Sequence, residues 1–354
     1  MGRGLPAWTP VDAMVAGDAP APRDFNARLD GGREYPMTHD EDFSVRLGSM
    51  SRREFLQLSA GAGLLAALGP TALRAAPDAL NLRAIPASGQ RIPVIGLGTA
   101  RTFDVDPDNG GAMRPLEQVL QNFYDGGGRL VDSSPMYGGA ESVVGRLADR
   151  LDIAGDLFMA TKVWTRGKEA GVYAMQTSRE RMGGGRLDLI QVHNLVDLQT
   201  QLDTLKAWRD EGRVRYIGVT HYTVSSHERL TRIVEREPID FVQFNYNIVT
   251  RDAEKRLLPA AADNGVATLI NEPFEKGSLF GRVKGKSLPD WVGELGIESW
   301  AQLFLKFIVS HPAVTCAIPA TSDPEHAADN IRAAHGPLPD TDQRERMTSL
   351  VRSP

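Results

Sequence analysis

From Leu80 onward, short apolar runs alternate with longer stretches whose apolar residues recur at helical spacing. The runs predict strands at Ile92–Leu97, Arg129–Val131, Leu157–Thr161, Leu187–Val192, Tyr216–Val219, Phe241–Phe244, Ala267–Ile270 and Thr315–Pro319. Between them the spacing predicts amphipathic helices, among them Ala140–Asp149, Gln199–Glu211, Ser226–Glu237, Asp252–Asn264 and Trp300–Ser310. Strands mostly begin about 30 residues apart, the length of one βα unit. Eight such units span 82–340, close to the ~250 residues typical of a (β/α)8 barrel. A doubly wound open sheet is the competitor, but it calls for GxGxxG after its first strand. Gly96-Leu97-Gly98-Thr99 has two glycines and then the pattern stops. The α/β reading is therefore a single-domain (β/α)8 TIM barrel over 80–340, followed by a short C-terminal tail at 341–354. Leu82–Ile92, with Ser88-Gly89 at its middle, predicts a hairpin closing the barrel floor. The irregular interval before the last strand puts a long loop at Glu275–Asp290, where barrels keep functional loops.

The chain ahead of the barrel reads differently. Residues 1–49 hold only six Leu, Ile or Val, too few to offset the entropy of folding. They read as a disordered leader, or as an over-extended start with Met50 as the true beginning. Residues 50–79 carry Ser51-Arg52-Arg53-Glu54-Phe55-Leu56-Gln57, an apolar run from Leu58 to Leu73, and Arg74-Ala75-Ala76-Pro77. A basic pair, a short apolar core and small residues have the layout of a signal peptide. The arginine pair resembles the bacterial twin-arginine (Tat) signal, which implies the Tat export machinery as a partner and a periplasmic or exported location. If that signal is unused, the location is cytoplasmic. The run is too short and too glycine-rich for a stable membrane span of about 20 residues. An amphipathic N-terminal helix is the alternative, but the segment has no polar face.

Composition narrows the chemistry. A net charge of −5 and a pI near 5.9 give no reason to expect nucleic acid as a partner. The single cysteine, Cys316, excludes a disulfide framework, a cysteine zinc site and a CxxC redox pair at once. It falls in the last predicted strand and reads as a small buried apolar residue.

In a barrel, polar residues just past the C-terminal strand ends face the active site. Strand two ends in Asp132, with Tyr137 in the following loop; strand three ends in Thr161-Lys162-Val163-Trp164. Strand four ends in Gln191-Val192-His193-Asn194, and strands five and six in Thr220-His221 and Gln243-Phe244-Asn245. The remaining histidines do not gather at several strand ends, so no metal site is expected.

Set in Val-Asp-x4-Tyr-Gly-x2-Glu, Thr-Lys-Val-Trp and Asp-Leu-Ile-Gln-Val-His, the four residues Asp132, Tyr137, Lys162 and His193 resemble the catalytic set of the aldo-keto reductase family. The resemblance extends over 82–332. It implies an oxidoreductase that reduces an aldehyde or ketone, a small-molecule carbonyl substrate, with NADPH or NADH. The residue types suit that chemistry. Tyrosine, with a pKa of about 10, is a weak acid, and a neighbouring ammonium such as Lys162 favours its phenolate. Asp132 would hold Lys162 charged and oriented, and His193 could donate to the carbonyl and fix its direction. Hydride must come from a cofactor, because no side chain supplies it. A nicotinamide-binding sensor or regulatory barrel without turnover is the alternative.

The resemblance also places cofactor contacts. Thr220 and Gln243 would hold the nicotinamide carboxamide, with Thr99 and Pro273 nearby and Lys276 clamping the pyrophosphate. Departures from the family pattern are His221, where Asn is usual, and Asn271, where many members place an aromatic ring; Phe274 is the ring nearest to compensate. Ala320, Thr321, Ser322, His326 and Asn330 match the adenosine-phosphate segment. That segment lacks the usual Lys and Arg, and Asp323 lies within it, so NADH competes with NADPH.

Overall fold

The structure, a computed structural model, describes residues 79–352. The leader and twin-arginine expectations at 1–49 and 50–79 fall outside the described residues, apart from Ala79 itself. Eight parallel strands form one sheet: β3 (Leu97–Gly98), β4 (Leu130–Asp132), β5 (Phe158–Val163), β6 (Leu187–His193), β7 (Val214–Thr220), β8 (Phe241–Asn245), β9 (Ala267–Asn271) and β10 (Cys316–Ala317). They lie in chain order, and single bridges Ile95–Ala317 and Gly98–Ala320 join the last edge to the first. Gly96 N donates to Ala317 O at 2.8 Å and Gly98 N to Pro319 O at 2.9 Å, so the sheet is closed. This is the (β/α)8 barrel that the sequence predicts.

Ahead of it, β1 (Leu82–Ala84) and β2 (Arg91–Pro93) form an antiparallel hairpin with Leu82 opposite Pro93. Its turn needs Gly89 at φ 74°, and Ile85 N closes it onto Gln90 O at 2.7 Å. The hairpin is the expected floor. It corrects one boundary: Ile92–Leu97 is two elements, with Ile92 and Pro93 in the hairpin, and Ile95, Gly96 and Leu97 joining the barrel. Proline has no N–H for a ladder, and here it ends the strand.

Strand positions alternate between two environments. Leu130, Phe158, Ala160, Leu189, Tyr216, Phe241, Ala267, Leu269, Cys316 and Ile318 make one buried cluster with Ile85 and Ile92 of the hairpin; this is the barrel interior. Their strand neighbours Val131, Met159, Ile190, Ile217, Val242 and Ile270 join the larger cluster beneath the helices. A strand buried on both faces needs apolar residues at both parities, which is why β5–β9 read as nearly continuous apolar runs.

The outer ring comprises α1 (Gly110–Asp125), α2 (Ala140–Arg150), α3 (Lys168–Arg181), α4 (Leu198–Asp210), α5 (His227–Val234), α6 (Leu257–Asp263), α7 (Ser278–Arg282), α8 (Trp300–Val309), α9 (Pro324–Arg332) and α10 (Thr341–Arg352). Asn109 caps α1 by accepting Gly111 N–H and Ala112 N–H, and Ser299 caps α8 by accepting Gln302 N–H. The expected loop at 275–290 instead contains a 3-10 turn and α7. Likewise the expected tail is mostly helix: α10 buries Met347, Thr348 and Val351, and Arg344 binds Phe307 O, Ser310 and Tyr246. No helix among the described residues is long and apolar enough to cross a membrane.

Candidate active site

On five strands, two residues beyond the last interior apolar position and on the same inward face, the side chains turn polar. Leu130 is followed by Asp132, Ala160 by Lys162, Leu189 by Gln191 and His193, Phe241 by Gln243, and Leu269 by Asn271. The strands therefore carry a polar layer at their C-terminal ends, directly above an apolar one.

At its centre Lys162, fully buried, donates from Nζ to Asp132 Oδ2 at 2.6 Å and to Ser133 O at 2.7 Å. The second carboxylate oxygen, Oδ1, accepts from Gln191 Nε2 and Gln243 Nε2, each at 3.1 Å. Gln243 Oε1 in turn accepts from Thr220 Oγ1 at 3.1 Å and Asn271 Nδ2 at 3.4 Å. Thr99 Oγ1 donates to Asp132 O at 3.1 Å, tying strand β3 to the same loop. Tyr137 lies above Lys162, whose Nζ is 4.9 Å from the ring centroid. His193 meets Tyr137 edge-on, with centroids 6.0 Å apart and planes at 87°.

Electrostatics follow from this burial. For Lys162, burial opposes the charge, but Asp132 and Tyr137 outweigh it and hold the ammonium above its ordinary range. Burial pushes the Tyr137 phenol up, and the Lys162 charge pulls it down without cancelling the rise. The lowering by Lys162 expected from sequence is present; the net displacement is upward, because burial disfavours a phenolate before any substrate charge develops. Burial first, then Lys162 and His221, push the His193 imidazole down to about 3, so it is neutral at pH 7.

The other expected residues form two further groups. Beside Thr220, His221 Nδ1 accepts from Tyr222 N at 3.0 Å, and its ring stacks on Tyr222. Past buried Pro273, Lys276 pairs with Glu272 at 3.2 Å and lies 5.5 Å from the Tyr222 ring centroid. Glu272, Glu275 and Lys276 all have positive φ, so this loop holds a backbone conformation that non-glycine residues rarely take. Phe274, the ring expected to compensate, packs with Phe280 and Phe304, with ring centroids 5.1 Å and 6.5 Å away. At the third group Ala320 bridges to Gly98, Thr321 Oγ1 accepts Asp323 N–H, and Asn330 is buried on α9 near exposed Ser322 and His326. The Asp323 carboxylate caps α9, accepting Glu325 N–H at 2.8 Å and His326 N–H at 3.3 Å.

A nicotinamide ring fits one feature of the polar layer. Asn271 Oδ1 is buried with no hydrogen-bond partner among the described residues, beside Gln243. A buried acceptor with no donor is costly, and a carboxamide N–H would satisfy it.

Three contributors were given no role from sequence, although Gln191 and Glu141 stand in the motifs quoted above. Gln191 holds Asp132, Ser134 Oγ lies 3.1 Å from His193 Nδ1, and Glu141 accepts from Thr161 Oγ1 at 2.5 Å. Gln191 was legible, because it shares the inward face of β6 with His193. Ser134 and Glu141 act through loops and a helix whose geometry only the fold sets.

A model for the aldo/keto reductase family matches residues 94–351. Aldo-keto reductase YhdN of Bacillus subtilis is 26% identical over 181 residues, 47% of this chain and 54% of that protein, so the chain matches about half of that relative's length. An aldo-keto reductase of Mycolicibacterium smegmatis is 27% identical over 249 residues, covering 69% of this chain and 84% of that protein. Among solved structures, an aldo/keto reductase from Klebsiella pneumoniae in complex with NADP and acetate shares the fold, with a TM-score of 0.64 and 24% identity over 75% of this chain and 94% of that one. The match covers the barrel and the strand ends where the polar layer lies: the chain belongs to the aldo/keto reductase family.

Proposed function

We propose that the chain reduces an aldehyde or ketone to an alcohol with NADPH or NADH, using Tyr137 as the general acid. One observation carries this reading: a phenol beside a fully buried Lys162–Asp132 pair, with a neutral imidazole against it. The nicotinamide, when bound, supplies the hydride to the carbonyl carbon. Tyr137 keeps its proton at neutral pH, as a phenol with a pKa of about 10 does, and burial raises its pKa further. As negative charge builds on the carbonyl oxygen, Tyr137 gives up that proton, and the phenolate formed meets the Lys162 ammonium. Asp132 keeps that ammonium compensated inside the barrel. His193 donates a hydrogen bond that fixes the carbonyl's direction. Thr220, Gln243 and Asn271 would hold the carboxamide. No Lys or Arg lies between Ala320 and His326, and Asp323 already caps the first amides of α9, so a 2′-phosphate finds no fixed cation in that stretch and only Thr321 and Ser322 as hydroxyl donors. Two solved relatives carry NADP or NADPH.

The test is turnover of aldehydes and ketones by the full chain with each reduced cofactor, followed by loss of nicotinamide absorbance. Tyr137→Phe should lower kcat by about 100-fold or more while cofactor still binds. Turnover that survives this substitution removes the assigned acid. Cofactor binding without turnover of any carbonyl would instead support the sensor reading.

We further propose export through the twin-arginine route, supported by Arg52-Arg53 ahead of the Leu58–Leu73 apolar run. Changing both arginines to lysine should leave the protein in the cytoplasm on cell fractionation. An unchanged distribution refutes the signal.

A further inference from the structure

We propose that Ser134 is a positioning residue that locks His193 in the tautomer carrying its proton on Nε2, so that the ring offers a hydrogen-bond donor to the substrate carbonyl. This inference rests on the role given to His193 above.

The argument is an accounting of one hydroxyl. Ser134 is fully buried. Its Oγ has two partners: Met136 N–H, which it accepts at 3.2 Å, and His193 Nδ1 at 3.1 Å. A serine hydroxyl has one proton and two lone pairs. If Nδ1 carried a proton, Ser134 would accept from both neighbours, and its own proton would be left without an acceptor among the described residues. If Nδ1 is bare, the hydroxyl donates to it, and both Nδ1 and the Ser134 hydroxyl are satisfied. Burial and the Lys162 charge keep the imidazole neutral, so the ring proton then belongs to Nε2.

The local sequence builds this arrangement. Ser134-Pro135-Met136-Tyr137 is a β-turn: Tyr137 N donates to Ser134 O at 3.0 Å, and proline at the second position presets its φ. The Met136 N–H to Ser134 Oγ bond is the matching side-chain turn. One four-residue turn therefore orients Ser134 toward His193 and also sets the backbone of Tyr137. The two groups proposed to meet the carbonyl oxygen are placed by a single local structure.

A purely structural serine would cap the turn and leave the histidine tautomer alone, so the test reads the tautomer. Long-range 15N–1H NMR of the histidine-labelled full chain at pH 7, assigned against His193→Ala, should show the His193 proton on Nε2 with Nδ1 as an acceptor. Ser134→Ala should shift the Nδ1 resonance out of the acceptor range or populate the second tautomer. It should also lower kcat by about 10-fold with the cofactor KM unchanged, and Ser134→Thr, which restores a hydroxyl, should recover both. A proton on Nδ1 in the unsubstituted protein overturns the lock, as does Ser134→Ala with tautomer and kcat both unmoved. A full kcat in His193→Ala would remove the underlying reading instead, leaving the tautomer result to stand on the NMR.

Discussion

Lys162 has no exposed side-chain surface, and it remains charged because each favourable contact is within hydrogen-bond reach. A buried ammonium is tolerated only when a counter-charge and acceptors surround it. Asp132 supplies the charge, Ser133 O an acceptor, and Gln191 and Gln243 hold the carboxylate's other oxygen. His193 shows the opposite solution, shedding its charge. Its pKa falls from about 6.5 unfolded to about 3 folded, so between those values the unfolded chain binds more protons. Stability from this residue is complete above pH 6.5 and is lost as pH falls toward 3, by about 1.4 kcal/mol per pH unit. Urea unfolding across that window should show a shallower pH slope in His193→Gln than in the unsubstituted protein. Equal slopes would mean that the imidazole is not held neutral.

At the scale of elements, the sequence was legible where burial has a simple period. The strands β5–β9 stand within one or two residues of their expected bounds, because parallel strands covered on both faces must be apolar runs. The first strand was not: Ile92 to Leu97 reads as one apolar run, and Pro93 within it ends the hairpin strand. The C-terminal segment was misread as a tail for a related reason: α10 carries few apolar residues and is held in part by polar contacts from Arg344. Lys306 on α8 belongs to the same class of contact. Fully buried, it donates to Leu295 O and His335 O at 2.6 Å and Pro337 O at 3.0 Å, pinning the approach to α10. Burial drives its pKa down to about 8. Lys306→Met would strand these carbonyls and should cost about 3 kcal/mol in denaturant unfolding. A change below a few tenths of a kcal/mol would show that they find other donors.

For the molecule as a whole, closure is the decisive event. The seam joins β10 to the residues around β3, where the two strands are only two residues each. A Cβ added at Gly98 would lie 2.8 Å from Ile318 O, a backbone atom that cannot turn aside. Gly98→Ala should therefore cost about 1–3 kcal/mol by forcing the seam apart, measured by thermal unfolding; an unchanged midpoint would show that the seam has slack. The hairpin closes the other end, with Tyr216 OH donating to Gln90 Oε1 at 2.9 Å and bonding Ser88 Oγ at 2.6 Å from inside the barrel. The amino-acid order by itself determined the fold class, the strand count and the placing of Asp132, Lys162, His193 and Gln243 at strand ends, because short apolar runs and βα spacing are local properties. Only the tertiary structure decided the net upward shift of Tyr137, the neutrality of His193 and the part played by Ser134. Each of these depends on desolvation or on a partner distant in the chain, and neither exists until the barrel has closed.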